Sequence, residues 1–410
     1  MIQIAILGHG VVGSGVVEVL QKNKEGIEKK AGNNINIKYI LDRREFPHLP
    51  YGDKFVTDFD VIKNDDEVKV VVEVMGGVEP AFTFAKESLS RGKSVVTSNK
   101  ELVAAKGAQL LELAAKHHVN FFFEASVGGG IPIIKPLHLC LGANEIYEIG
   151  GILNGTTNFI LTKMIRESMP FDQALALAQE LGYAERDPSA DVDGHDACRK
   201  ICILASLAFG HHVYPDKVYT EGIRSITLED VAYAESWGGV IKLIGRCKRL
   251  PDGKVSAMVS PAFVSRESQL SGVDDVFNGI LVRGDATGDV VFYGKGAGKL
   301  PTASAVVSDV IDAIKATSTV KTLQWKDADD SVLADFASFP VSAYLRVQGQ
   351  ELLAKMRVLF GRIKVLAPRE NDDELAFITP VLTEAELAAK VEALKENDIR
   401  LLGLVRVLDY

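Results

Sequence analysis

Six residues near the start of the chain, Gly8-His9-Gly10-Val11-Val12-Gly13, constrain the fold more than any other stretch. They follow the apolar run Gln3-Ile4-Ala5-Ile6-Leu7 and precede Val16, Val17, Val19 and Leu20, which recur at helical spacing. The order is strand, glycine turn, helix. Glycines at these spacings permit a tight turn, let backbone approach a pyrophosphate and let helix pack on strand, while the helix N-terminus offers free N–H groups to phosphate oxygens. Between those elements the motif implies a dinucleotide-binding α/β domain.

The residues that follow extend that pattern. A second strand, Ile35 to Leu41, ends at Asp42-Arg43-Arg44, roughly where such folds read the ribose. Asp42 suits a free 2′-hydroxyl, whereas Arg43 and Arg44 suit a 2′-phosphate, and surface charge alone also accounts for all three. Val68 to Val74 is an apolar run suited to a strand buried on both faces. Ser94 to Thr97 forms a short strand, followed at its carboxyl end by Ser98-Asn99-Lys100. Ligands bind outside such strand ends, so Lys100 is placed for chemistry or cofactor contact, with a loop-capping lysine as the plainer alternative. Val119 to Glu124 is expected as a further strand, stopping at Ala125-Ser126-Val127-Gly128-Gly129-Gly130-Ile131. Three successive glycines allow backbone close to a ligand or a tight turn, and exposed carbonyls beside Glu124 can hold a hard cation.

Composition excludes several classes. In 410 residues, 46 Lys and Arg against 55 Asp and Glu give a net charge of −9, with no basic cluster. Affinity for nucleic acid depends on concentrated positive charge, so that class is set aside. The first strand begins at Ile2 without a basic segment or cleavage site, and the apolar runs are too short to cross a bilayer, which predicts a cytoplasmic protein. The four cysteines are irregularly spaced and read as buried thiols.

Beyond Glu145 the alternation changes. A strand from Tyr147 to Leu153, helices to about Gly210, and strands near Val240–Cys247, Val255–Val264, Asn278–Gly284 and Val290–Tyr293 suggest an α+β unit. Its helical half holds Gly182-Tyr183-Ala184-Glu185 and then Asp187 to Lys200. Asp193 and Gly194 can start a helix that Ile201, Ile203, Leu204 and Leu207 continue, which sets Asp196 and Lys200 one turn apart. A small polar substrate can touch both, although a surface ion pair has the same spacing. A second glycine loop, Gly294 to Gly298, precedes an apolar helix from Ser304 to about Ile314. Lys326 to Ser331 is polar and reads as a linker. The remainder predicts the order βαββαβ, a ferredoxin-like unit.

These segments resemble homoserine dehydrogenase of the bacterial type with a C-terminal ACT domain. The resemblance rests on GHGVVGSGVV, VVTSNKELVA, EASVGGGIPIIKPL, GILNGTTNFILTKM, LGYAERDPSADVDGHDACRK and FYGKGAGKLPTASAVVSD, which together span nearly all of residues 1–316. It implies an α/β protein with a Rossmann-like dinucleotide-binding domain over 1–140, completed by a helix over 300–318. An α+β catalytic and dimerisation domain with a mixed or antiparallel sheet would follow over 141–299, then a linker over 319–331 and a ferredoxin-like ACT domain over 332–410. The activity implied is interconversion of L-aspartate 4-semialdehyde and L-homoserine with NADP or NAD, toward threonine, methionine and isoleucine. Adding hydride to an aldehyde leaves an alkoxide, which requires an acid.

By the same resemblance Lys200 is the catalytic lysine, with Asp196 and Lys100 also at the chemistry. Glu185, Asp196 and Lys100 would hold substrate. Cofactor contacts fall on Gly8, Gly10, Val11, Val12, Gly13, Arg43, Lys100, Gly182 and Gly298. Glu124, with backbone atoms of Val127, Gly129 and Ile131, matches a monovalent cation site, usually sodium. A homodimer or homotetramer and an amino-acid effector such as L-threonine are implied as well. The chain departs from the family at His9 and Val11, at Asp42, which is less usual beside the basic family position that Arg43 matches, at Cys198 on the catalytic helix, and at Val347-Gln348-Gly349-Gln350-Glu351, where an acid, proline and glycine often open the first ACT helix. Two other functions compete: a non-catalytic sensor of amino acid and nucleotide, which has no need of Lys200, and a dehydrogenase of another small amino acid acting at the amine. The acidic pair Glu185 and Asp196 favours an ammonium that is held rather than oxidised.

Overall fold

The computed structural model describes residues 1–316, 323, 325–328, 331–367 and 373–408. Six parallel strands form the first sheet: β1 (Ile2–Leu7), β2 (Ile35–Leu41), β3 (Phe55–Val56), β4 (Val68–Glu73), β5 (Ser94–Thr97) and β6 (Phe121–Phe122). Their order is β3-β2-β1-β4-β5-β6, so the chain reverses direction across the sheet between β1 and β4. That reversal opens a crevice at the carboxyl ends of the two strands, where Gly8 and Val74 emerge. Ile4 to Leu7 and Val70 to Val72 are wholly buried, as continuous apolar runs in a two-faced sheet require.

The helix Lys299–Lys315 returns from the far end of the chain to pack on the helix Val11–Lys22. Contact is close enough that a Cβ on Gly15 would lie 2.9 Å from the Lys299 carbonyl oxygen. This is the completing helix expected over 300–318; residues 317 and 318 lie outside the described residues.

The strand expected from Val119 to Glu124 is a correction. Only Phe121 and Phe122 pair with β5, at the sheet edge. Glu124 leaves the ladder because its amide donates to Asp309 Oδ2 (2.8 Å), and its carboxylate turns to accept from the amides of Ile133, Ile134 and Lys135 at 2.7–2.9 Å.

The second sheet is built from β7 (Ile146–Ile152), β8 (Tyr219–Thr220), β9 (Gly239–Arg249), β10 (Val255–Ser265), β11 (Phe277–Gly284), β12 (Gly288–Lys295), β13 (Pro340–Gln348), β14 (Lys364–Val365), β15 (Glu374–Ile378), β16 (Leu382–Thr383) and β17 (Arg400–Leu408). Its main path runs β12-β11-β7-β9-β10-β17-β13-β15-β14. The last four strands, with helices Leu352–Phe360 and Glu384–Glu396, realise the ferredoxin-like order, β16 being a short addition. That region is not separate at the level of the sheet: β10 and β17 pair in parallel from Ala262–Arg406 to Val264–Leu408.

The stretch expected as a linker is anchored where it is described. Trp325 is buried, donates its Nε1–H to His212 Nδ1 (2.8 Å) and fills the space beside Gly107, where a Cβ would come within 2.6 Å of the ring. The polar residues after Trp325 masked this anchor in the sequence; Asp329 and Asp330 lie outside the described residues. Among the described residues no helix is long and apolar enough to cross a membrane.

Candidate active site

The glycine loop takes the form that its spacing predicts. Gly8 has φ +98°, a left-handed conformation open to glycine, and a Cβ on Gly13 would sit 2.0 Å from the Gly8 carbonyl oxygen. Gly10, by contrast, faces open space, which leaves the start of the helix Val11–Lys22 accessible to a phosphate. The loop forms one wall of a groove of about 680 Å³ that also takes in Asp42, Arg43, Arg44, Thr57, Met75 and Pro80.

A second cleft, of about 430 Å³, continues past Val11, Val12 and Met75 to Lys100, Lys200 and the loop Gly296-Ala297-Gly298. Lys200 is only 6% exposed yet lines this cleft. Its ammonium donates to Asp196 Oδ2 (2.9 Å) and to the Leu153 carbonyl (2.8 Å). Lys100 reaches Asp196 Oδ1 from the other domain at 2.5 Å. One buried carboxylate thus holds two ammonium groups.

Each element has a local cause. Gly194, at φ +85°, caps the helix His195–Phe209, and Ile201 to Ala205 bury its inner side against the second sheet. Lys100 opens the helix Lys100–Lys116, capped by Asn99 Oδ1 accepting from the Leu102 amide (3.1 Å).

The electrostatics divide the two lysines. Burial, then the neighbouring Lys100, lower the Lys200 pKa against the opposing pull of Asp196. For Lys100 burial also acts to lower the pKa, but Asp196 and Asp191 outweigh it and the net shift is upward. Asp196, although fully buried, is held below the ordinary carboxylate range by Lys200 and Lys100. The result is an ammonium readier to give up its proton beside one that stays charged.

Comparison with known proteins decides what this arrangement belongs to. A family model for homoserine dehydrogenase matches residues 132–311, and one for the homoserine dehydrogenase NAD-binding domain matches residues 8–124. The chain is 46% identical over 326 residues to the homoserine dehydrogenase of Synechocystis sp., covering 76% of this chain and 73% of that protein. The chain belongs to the homoserine dehydrogenase family.

Family membership makes it an oxidoreductase, as the sequence resemblance implied. The homoserine dehydrogenase of Pseudomonas aeruginosa is 40% identical over 400 residues, 93% of this chain and 91% of the relative. The crystal structure of a homoserine dehydrogenase from Thiobacillus denitrificans covers 100% of this chain and 98% of its own, at 35% identity and a TM-score of 0.92. A hyperthermophilic archaeal homoserine dehydrogenase in complex with NADPH matches 76% of this chain and 97% of its own, at 30% identity and a TM-score of 0.64. The nicotinamide-binding domain is therefore a property of this chain, and its glycine loop is open at Gly10.

Not every residue expected at the homoserine dehydrogenase site joins the cluster. Glu185 is exposed, and its side chain makes no hydrogen bond or ion pair with the described residues. Gly182 is likewise exposed, at φ +75°, in the turn that closes the helix Phe171–Glu180. Gly298 does line the cleft, and Arg43 lines the groove. The Gly128-Gly129-Gly130 turn meets the loop Gly296-Ala297-Gly298: a Cβ on Gly129 would lie 2.4 Å from the Gly296 carbonyl oxygen. At the expected cation loop the Glu124 carboxylate accepts from three amides, two on Oε1 and one on Oε2. The carbonyls of Val127, Gly129 and Ile131 accept no hydrogen bond from the described residues.

Three further residues were not singled out by sequence. Asn154 donates to both Asp191 Oδ1 (2.7 Å) and Asp196 Oδ2 (2.8 Å), tying two carboxylates together. Asp191 has its pKa raised by burial and then by Asp196. Glu73 is wholly buried at the end of β4, accepting from Thr97 Oγ1 (2.5 Å) and the Met75 amide (2.8 Å), and thereby joins the two strand ends beneath the cleft. A carboxylate closing an apolar strand was the available signal for Glu73. For Asn154 and Asp191 the sequence separation of 37 residues hid the contact.

Proposed function

We propose that this enzyme interconverts L-aspartate 4-semialdehyde and L-homoserine, with Lys200 as general acid and base. The observation that carries the reading is the Lys100–Asp196–Lys200 cluster at the end of the dinucleotide cradle. NADP or NAD, when bound along Gly8, Gly10, Val11, Val12 and Gly13, supplies or accepts the hydride, with Arg43 at the ribose end and Gly298 closing the cleft. Lys200 Nζ delivers a proton to the oxygen of the reduced aldehyde and recovers it in the opposite direction. Asp196 and the Leu153 carbonyl fix its position, and Lys100 keeps Asp196 ionised. Asp191 and Asp196 offer negative charge to the substrate's α-ammonium group. Glu185 joins them in this reading only after movement of its exposed turn.

A monovalent cation, sodium by family resemblance, belongs to the proposal through Glu124 and the backbone carbonyls of Val127, Gly129 and Ile131. The ferredoxin-like region is proposed as an ACT domain that binds an amino-acid effector such as L-threonine. The open edge strand β12, where Tyr293 is 57% exposed, supports a homodimer or homotetramer. A cytoplasmic location goes with this metabolic role.

The test is nicotinamide absorbance with purified protein, offered L-homoserine and an analogue that lacks the amino group. Homoserine-dependent reduction of the cofactor is expected, with the analogue much slower. Equal rates for both would remove Asp191 and Asp196 from substrate recognition, and no homoserine-dependent change would end the reading.

A further inference from the structure

The ribose end of the cradle carries three adjacent charges whose separate roles the fold defines. A carboxylate offers about four acceptor sites on its two oxygens. In Asp42 four donors take them: Oδ1 accepts from the Arg44 backbone N–H and from its Nε, both at 3.0 Å, and Oδ2 accepts from Arg44 Nη2 and the His9 amide, both at 2.9 Å. The same Nη2 donates to the His9 carbonyl at 3.1 Å, and the guanidinium lies 5.1 Å from the centre of the Phe46 ring. Arg44 is thus docked against both the second strand and the glycine loop. Arg43 is different: it is exposed, lines the same groove, and makes no hydrogen bond or ion pair with the described residues.

We infer that Arg44 sets the cofactor preference by occupying the Asp42 carboxylate, which removes the acceptor that a ribose 2′-hydroxyl would use and cancels the charge that would repel a 2′-phosphate. Preference is thereby tilted toward NADPH, and Arg43 is left to meet the phosphate. Arg44 is a positioning residue, acting through Asp42. The inference rests on the cofactor reading given above, in which Arg43 faces the ribose.

It also explains why the strand end signals two cofactors at once. An acid at that position ordinarily selects a free hydroxyl. Here the arginine two residues later answers it within the chain, by a fork that matches both carboxylate oxygens.

The test is a double-mutant cycle on the full-length enzyme, reading kcat/KM for NADPH and for NADH at saturating aspartate 4-semialdehyde. Arg44→Ala is expected to lower the NADPH-to-NADH ratio about tenfold or more, chiefly through KM, because it frees a carboxylate beside the phosphate position. In an Asp42→Asn background the same substitution should move the ratio by less than about twofold. Arg44→Lys, which keeps the charge and loses the fork, should fall between wild type and Arg44→Ala. An equal effect of Arg44→Ala in both backgrounds would overturn the inference, since the guanidinium would then be touching the phosphate itself. A ratio left unchanged by Arg44→Ala in the otherwise wild-type enzyme, with kcat intact, would overturn it too. Arg43→Ala is the separate arm: if NADPH preference survives it, the phosphate reading at Arg43 fails, while the outcome of the Arg44 cycle still stands or falls independently.

Discussion

Replacing Lys200 by methionine tests the chemistry with the least disturbance to packing, because the thioether side chain occupies most of the lysine stem's path without its charge. Two effects follow from the contacts of the ammonium. The first is chemical: loss of a positioned general acid lowers turnover by ~100- to 10,000-fold, or about 2.7–5.5 kcal/mol at the transition state. The second is structural. The Leu153 carbonyl loses its donor at 2.8 Å, while Asp196 keeps Lys100 at 2.5 Å and Asn154 at 2.8 Å. An unmade buried hydrogen bond with the charge still paired costs about 1–3 kcal/mol, so the fold survives with a lowered Tm. The assay is steady-state nicotinamide absorbance in both directions, with cofactor affinity measured separately by the fluorescence of the reduced nicotinamide. Turnover is expected to collapse while that affinity changes by less than about threefold, the cradle being built from other residues. A kcat within about tenfold of wild type, or a loss confined to cofactor binding, would refute the assignment of Lys200.

Three other substitutions probe the surroundings. Asp196→Asn removes the main group that raises the Lys200 pKa and leaves burial and Lys100, which lower it, against the smaller pull of Asp191, so the limb of the homoserine-oxidation profile that needs neutral Lys200 should move to lower pH; a shift to higher pH would show that another group titrates there. Gly129→Ala puts a Cβ 2.4 Å from the Gly296 carbonyl at a φ of +55°, so it should cost about 2–4 kcal/mol in a denaturant melt. A loss below about 0.5 kcal/mol would mean that the Gly129 turn and the Gly296 loop part easily. Arg406→Leu leaves Glu384 and Glu221 without their shared guanidinium, at a cost of about 3–5 kcal/mol. Because Gly222 packs against Val192 and Asp193, KM for homoserine should rise with it, and an unchanged KM in a destabilised protein would confine β17 to a structural role.

The legible parts were those that local physics dictates. Glycines at 8, 10 and 13 can close only one kind of turn between a buried strand and a helix, so the first domain followed from a few residues. The i and i+4 spacing of Asp196 and Lys200 likewise guaranteed that they share a face once Gly194 started the helix. The strand at Val119 was overread because its apolar run gave no sign that Asp309, 185 residues away, would draw the Glu124 amide out of the ladder.

What the sequence by itself determined, then, is most of the order of elements, the dinucleotide cradle and the shared helix face of Asp196 and Lys200, all of which depend on neighbours within one or two turns of chain. What only the tertiary structure decided is which charges meet. Lys100 and Lys200 share one buried carboxylate, Asn154 joins Asp191 to it, Arg44 rather than a ribose holds Asp42, and Glu185 stands apart. In such pairs the partner is set by where separate elements stop in space, and the energy of an ion pair depends on its separation and burial, neither of which a linear pattern contains.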